Sequence, residues 1–218
     1  HPKLKQVFRM GFFYSVVRLH VTLRFTLDTN CVVALDEGRP EGPAVRALAD
    51  AHRTGRAHVA VCAIMASEKQ RSGGHLESFD QFTDRLVRLG LDHLVLTLPM
   101  MYWDISFWNR CADGDEDEME NLERRIHEIL FPGLEFLYKD HCLANGIDPE
   151  AIPPDRKWRN PKCDIQAFWS HAHARRNVFV SSDGNFHAQT KRTRLIALAG
   201  GHIETPQSAL SLLESNAA

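Results

Sequence analysis

Four acidic residues fall at the ends of strand-like runs or beside one: Asp28 closes VTLRFTLD, Glu68 follows AHVAVCAI, Asp183 closes VFVSSD, and Asp164 opens the helix-like stretch leading into VFVSSD. In open α/β sheets ligands bind beyond the carboxyl ends of the strands, so acids placed there are the first to test for chemistry. Four carboxylates at one edge repel one another, which raises pKa values or destabilises the fold unless a cation neutralises them. A hard divalent ion is the simplest solution, because Mg²⁺ or Mn²⁺ takes carboxylate and water oxygens and keeps positions open for a phosphate. Each acid also has a plainer reading. Asp28 can cap the helix after it, Asp164 suits the positive end of its helix, Asp183 before Gly184 makes a turn, and Glu68 beside Lys69 is a solvated surface acid.

The elements that must position these acids alternate. VTLRFTLD (21–28) is β-rich, CVVALDEG begins a helix that breaks at Gly38, and GPAVRALADAHRTG (42–55) is a helix with Pro43 in its first turn and Gly55 at its end. AHVAVCAI (57–64) is a short buried strand, ESFDQFTDRLVRLG (77–90) carries Phe79, Phe82, Leu86 and Leu89 at helical spacing, and DHLVLTL (92–98) is a third strand. Farther on, CDIQAFWSHAHARRN (163–177) is a helix, VFVSSD (178–183) a strand and TRLIALAG (193–200) a helix, and HIETPQSALSLL closes with a short strand and a last helix. This order predicts an α/β fold, a parallel sheet sandwiched between helices. Residues 99–160 break the alternation with the acidic run DGDEDEMENLE, an amphipathic stretch and the proline-rich DPEAIPPDRKWRNP. They are read as a helical insertion ended by a connector, with the acidic run as a solvated face. The chain is thus expected to form one domain over 21–214, preceded by an N-terminal extension (1–20) to which no element is assigned.

Composition bounds the partners. The chain of 218 residues is 44% hydrophobic and 25% charged, an ordinary globular balance, and its net charge of −2 gives no global attraction to nucleic acid. Any such binding must come from a local basic surface. Five cysteines without a CxxC pair argue against a disulfide framework or a thiolate zinc site and predict a reducing, cytoplasmic location. No apolar run approaches the roughly 20 residues needed to cross a bilayer. VFRMGFFYSVVRLHV is interrupted by Arg9, Arg18 and His20, so neither a membrane span nor a cleavable signal peptide is expected.

Four stretches in order, LDTN (27–30), VAVCAIMASE (59–68), DIQAFWSHAHARRNVFVSSDGNF (164–186) and GHIETPQSALSLL (201–213), resemble PIN-domain nucleases over about two-thirds of the chain. The resemblance implies a parallel sheet between helices and an acidic pocket that binds Mg²⁺ or Mn²⁺ and hydrolyses RNA phosphodiester bonds, leaving a 5′-phosphate and a 3′-hydroxyl. Asp28, Glu68, Asp164 and Asp183 match the family's acidic positions. Asp28, Asp164 and Asp183 are expected as metal ligands, with Glu68 a ligand or the base that orients water. Asn30 matches the asparagine that supports the site, Ser181 stands at the family's Thr or Ser, and Phe186 matches the aromatic of the last motif. Asn185 replaces an acid that many relatives carry, and the 96 residues from Glu68 to Asp164 exceed the separation in compact toxin-type members.

For the RNA itself, DRKWRNPK (155–162) offers Arg156, Lys157, Arg159 and Lys162 for phosphate contacts and Trp158 for base stacking, just before Asp164. A solvated basic linker is the competing reading. KRTR (191–194) extends a positive surface or simply starts a helix. In HAHARR, His171 and His173 are two apart, a poor chelating pair on a helix, and an exposed helical face is expected there. The resulting expectation is a Mg²⁺- or Mn²⁺-dependent endoribonuclease with RNA as partner. The sequence leaves open a homodimer and a protein inhibitor or partner. The competing functional classes are a PIN-like RNA- or protein-binding module of weak catalysis, and a hydrolase of small phosphoesters.

Overall fold

In the computed structural model, residues 22–67, 79–102, 105–106, 110–150 and 154–217 are described. Five strands, β1 (Arg24–Leu27), β2 (His58–Cys62), β3 (Val95–Thr97), β4 (Val178–Val180) and β5 (His202–Glu204), form one sheet in the order β3-β2-β1-β4-β5 with every pairing parallel. Phe25, Thr26 and Leu27 of β1 are all fully buried although alternate strand residues face opposite ways, so both faces of the sheet are covered. The α/β sandwich expected from the alternation is the observed fold.

The chain steps outward from β1 through β2 to β3, then returns to the other side of β1 to lay down β4 and β5. Strand order therefore reverses between β1 and β4. Helices α1 (Thr29–Asp36), α2 (Gly42–Arg53) and α3 (Phe79–Arg88) belong to the first half. A 3₁₀ turn, Ala63–Ser67, follows β2. In the second half α7 (Gly184–His187), α8 (Gln189–Ala199) and α9 (Pro206–Ala217) frame β5. Gly201, which leads into β5, sits at φ +72°, and a Cβ there would come within 2.0 Å of the Asn177 carbonyl oxygen. Only glycine fits this crossing of two chain segments.

Between the halves lie α4 (Glu116–Leu130), α5 (Tyr138–Asn145) and α6 (Arg156–His173). The acidic run opens α4, where Asp115 caps by accepting from the Glu118 amide at 3.0 Å and Glu116, Asp117 and Glu118 occupy the positive end of the helix. One charged residue of α4 is not solvated. Glu123 is fully buried and pairs at 2.7 Å with Lys162 of α6, itself 1% exposed. Tyr102 donates to Glu123 at 2.5 Å and Gln166 donates to it at 2.7 Å, so the buried carboxylate is fully engaged. This network fastens α4 to α6.

The proline-rich connector ends sooner than the sequence suggests. Residues 156–162, expected as an RNA-contact loop, are the first turns of α6, and Pro161 lies inside that helix. Trp158 is 3% exposed and donates its indole N–H to the Glu135 carbonyl at 3.0 Å. Lys162 points at the rings of Tyr102, Phe136 and Trp158 rather than at solvent, and Arg159 is also buried. The apolar stripe through Trp158, Ile165 and Trp169 outweighs the single hydrogen bond that Pro161 forgoes. Asp164 accordingly lies midway along a helix instead of at its start. His171 departs from expectation as well: it is 1% exposed, bonded through Nδ1 to the Thr26 hydroxyl at 2.9 Å, while His173 is exposed and stacks on Trp169.

Candidate active site

Asp28 is the first residue after β1, and Ser181 to Asp183 follow β4, the strand paired with β1. The two segments meet at the carboxyl edge where strand order reverses, the position at which α/β sheets open a crevice for ligands. The Asp28 amide donates to the Val180 carbonyl at 2.9 Å, which carries the sheet pairing up to the acid itself.

The Asp28 side chain does two things. Its Oδ1 accepts from the Thr29 amide at 2.8 Å at the start of α1, and its Oδ2 accepts from Asn30 Nδ2 and from the Ser181 hydroxyl, each at 2.7 Å. Ser181 Oγ also accepts from Asn30 Nδ2 at 2.9 Å and from the Asp183 amide at 3.0 Å. Asn30 Oδ1 accepts from the Ser182 amide at 2.9 Å, so one asparagine bridges the two strand ends with both of its polar atoms. Asp183 caps α7, its Oδ1 accepting from the Asn185 amide at 2.8 Å.

Burial dominates the electrostatics. Asp28 is 3% exposed, and desolvation pushes its pKa from 3.8 up to about 6 in spite of three donors, with the Asp183 charge pushing the same way. A buried carboxylate in that state gains from a nearby cation. The donor set, oxygen atoms only and a pair of acids that repel, fits a hard divalent ion in its chemistry.

Asp164 lies on α6, two turns into the helix. Phe168, one turn along, packs on Phe179 of β4 at 5.2 Å and on Phe186 at 6.1 Å, and His171, a further turn, bonds Thr26. Toward the other end of this face, Arg176 donates to the Phe25 carbonyl. Moving back along α6 from His171 to Phe168 thus runs toward the carboxyl ends of the strands, and Asp164 lies one turn before Phe168. Among the described residues, no group of three or more His, Cys, Asp or Glu is close enough to hold a metal ion, so Asp164 does not join Asp28 and Asp183 as the sequence led one to expect, and the described site contributes two interacting acids. Glu68 lies outside the described residues, directly after Ser67.

The structure thus draws together Asp28, Asn30, Ser181 and Asp183, with Asn185 joined through its backbone. Arg156 and Lys157 are exposed at the start of α6, whereas burial removes Trp158, Arg159 and Lys162 from contact with a strand of RNA. Two further residues hold this edge: His187, which the sequence did not single out, and Lys191, read there only as part of the basic KRTR run. His187 Nε2 bonds the Ser181 carbonyl at 2.8 Å, bracing the loop from beneath. Lys191 Nζ donates to the Leu130 carbonyl at 2.7 Å and also to Asn185 Oδ1. That bond fixes the Asn185 amide so that its buried Nδ2 has no partner.

Fold and site define an α/β protein with two interacting acids, Asp28 and Asp183, at the sheet's switch point. No protein-family model matches the chain, and no curated protein or solved structure matches it.

Proposed function

We propose that this chain is a PIN-type endoribonuclease that uses Mg²⁺ or Mn²⁺ to hydrolyse RNA phosphodiester bonds. The observation that carries the reading is Asp28: a buried carboxylate, oriented by Asn30 and Ser181 and set beside Asp183 at the switch point. Asp28 and Asp183 would hold the ion, with Glu68 as the further donor the sequence assigns. When bound, such an ion lowers the pKa of a water molecule and offsets charge on the leaving oxygen.

The chain's own residues supply order. Asn30 and Ser181 grip Oδ2 of Asp28 and so direct the carboxylate without rotational freedom. The Asp183 amide and side chain are held from two sides, by Ser181 and by Asn185. Phe186, fully buried between Phe168 and Phe179, keeps α7 seated and with it the direction of Asp183.

A second reading, a PIN-like module that binds RNA or protein without cutting, draws on Asn185: its amide stands where many nucleases of this type carry an acid, and it is engaged by Lys191. Cleavage of a mixed structured and single-stranded RNA pool, with Mn²⁺ or Mg²⁺ against EDTA, separates the two. The nuclease reading expects metal-dependent products bearing 5′-phosphates, abolished by Asp28→Asn. RNA bound but uncut by the wild-type chain favours the module.

A further inference from the structure

The basic residues of α4 and α8 fall into two sets. Arg124 is paired with Glu120 at 2.5 Å, and Arg192 with Glu204 at 3.0 Å. Arg125 of α4 and Arg194 of α8 are exposed and make no ion pair among the described residues, yet both line one groove of about 270 Å³ where the two helices pack. Its remaining walls are Ile129, Ala197 and Leu198, with Glu128 as its one acid. Two guanidinium groups facing a shared groove gain from an anion between them.

One lysine of α8 joins the helices of that groove to the Asp183 loop. Lys191 lies one helical turn before Arg194 on α8, a spacing that places the two side chains next to each other. Its ammonium reaches the last residue of α4 through the Leu130 carbonyl and the pocket through Asn185, whose amide N–H bonds the Asp183 carboxylate. Basic side chains therefore follow one another from the Asp183 loop through Lys191 to Arg194 and Arg125, while the apolar floor offers a surface for sugars and bases.

We propose that the groove between α4 and α8 binds the phosphate backbone of single-stranded RNA on one side of the cleavage point, with Lys191 at its mouth and Arg194 and Arg125 along it. This inference rests on the nuclease reading and assigns the substrate path that the start of α6 does not provide. Negative charge repeated along a flexible strand is the ligand that a file of cations leading away from a carboxylate pocket selects.

The test is fluorescence anisotropy of a labelled single-stranded RNA oligomer with the full chain in EDTA, over a range of salt concentrations. The double variant Arg125→Ala/Arg194→Ala should weaken binding about 10-fold or more at low salt and reduce the slope of log K against log salt by about 1.4, two contacts at about 0.7 each. Arg56→Ala, at the amino edge of the sheet, should leave both unchanged. An affinity and slope equal to wild type overturn the proposal, and so does weaker binding with an unaltered slope. Binding of a polyglutamate peptide, lost in the double variant while RNA affinity stays the same, overturns RNA as the occupant. Metal-dependent cleavage of the same oligomer separates this inference from the reading beneath it. Cutting by wild type with normal RNA binding in the double variant removes the groove alone; salt-dependent binding lost in the double variant, without any cutting by wild type, removes the nuclease alone.

Discussion

Asp28→Asn should make the metal-free protein relatively more stable as pH rises, which is the reverse of the effect of deleting an ion-paired acid. The folded protein holds the Asp28 proton more tightly than the unfolded chain does, with a pKa near 6 against 3.8. Below the lower value both states are protonated and the residue is neutral in the balance. Through the window between the two values the unfolded chain releases its proton first, and wild-type stability falls. At about 1.4 kcal/mol per pKa unit the deficit reaches about 3 kcal/mol at pH 7, of which about 2 kcal/mol accrues above pH 4. Asparagine keeps an oxygen for the Thr29 amide but turns an N–H₂ toward the Asn30 amide and the Ser181 hydroxyl, both donors to the native carboxylate. That mismatch does not titrate, so it shifts the whole comparison without bending it. Urea unfolding of both proteins in EDTA, from about pH 4 to pH 7, reads the difference directly. The stability of the variant relative to wild type should climb by about 2 kcal/mol across this range. A flat difference, or one that falls, would refute the account of Asp28 as a carboxylate made costly by burial. Saturating Mn²⁺ should then reverse the order, adding about 3 kcal/mol to wild type at 100 times its Kd and little to the variant.

Removing one partner of the buried pair, Glu123→Ala, should cost about 3–5 kcal/mol in a urea titration, because Lys162 is left charged among three aromatic rings with no anion. Gly201→Ala should lower stability by about 2–4 kcal/mol, from the positive φ and the overlap with the Asn177 carbonyl, and a thermal melt unchanged from wild type would contradict that crossing. Trp158→Ala should destabilise by about 3–5 kcal/mol through lost packing and leave the RNA affinity of the folded protein as it was, since the ring is buried. Loss of RNA binding without loss of stability would restore the stacking role.

The strands and most helices were legible because their signals are local. The apolar runs that end at Asp28 and at Ser181, and the stripe through Phe82 and Leu86, report burial through spacing alone. The start of α6 was not legible, because its prolines argue locally for a connector while the reason for the helix lies elsewhere in the chain: Trp158 needs the Glu135 carbonyl and Lys162 needs Glu123. No window around residues 155–162 contains either partner. His171 failed for the same reason, its neighbours suggesting a solvated face while Thr26, 145 residues away, supplies its bond. Of the candidate site, the ends of β1 and β4 could be read as motifs, and Asn30 and Ser181 could be placed beside them. The switch point could not, because it depends on β4 pairing with β1 rather than with β3.

A helix cap and a ligand-binding acid were alternatives for Asp28 when only its sequence neighbours were in view. In the folded chain the same carboxylate fills both roles, one oxygen on the Thr29 amide and the other on Asn30 and Ser181. Capping accounts for the oxygen but not for the charge. Asparagine or serine caps a helix about as well as aspartate and carries no ion into the interior. A protein that needed only the cap could use either, yet this one keeps an acid 3% exposed, with a second acid near enough to raise its pKa further. Neither α1 nor the sheet recovers that cost. Binding of a cation between the ends of β1 and β4 would recover it, because a positive charge turns the repulsion and the desolvation of Asp28 into attraction.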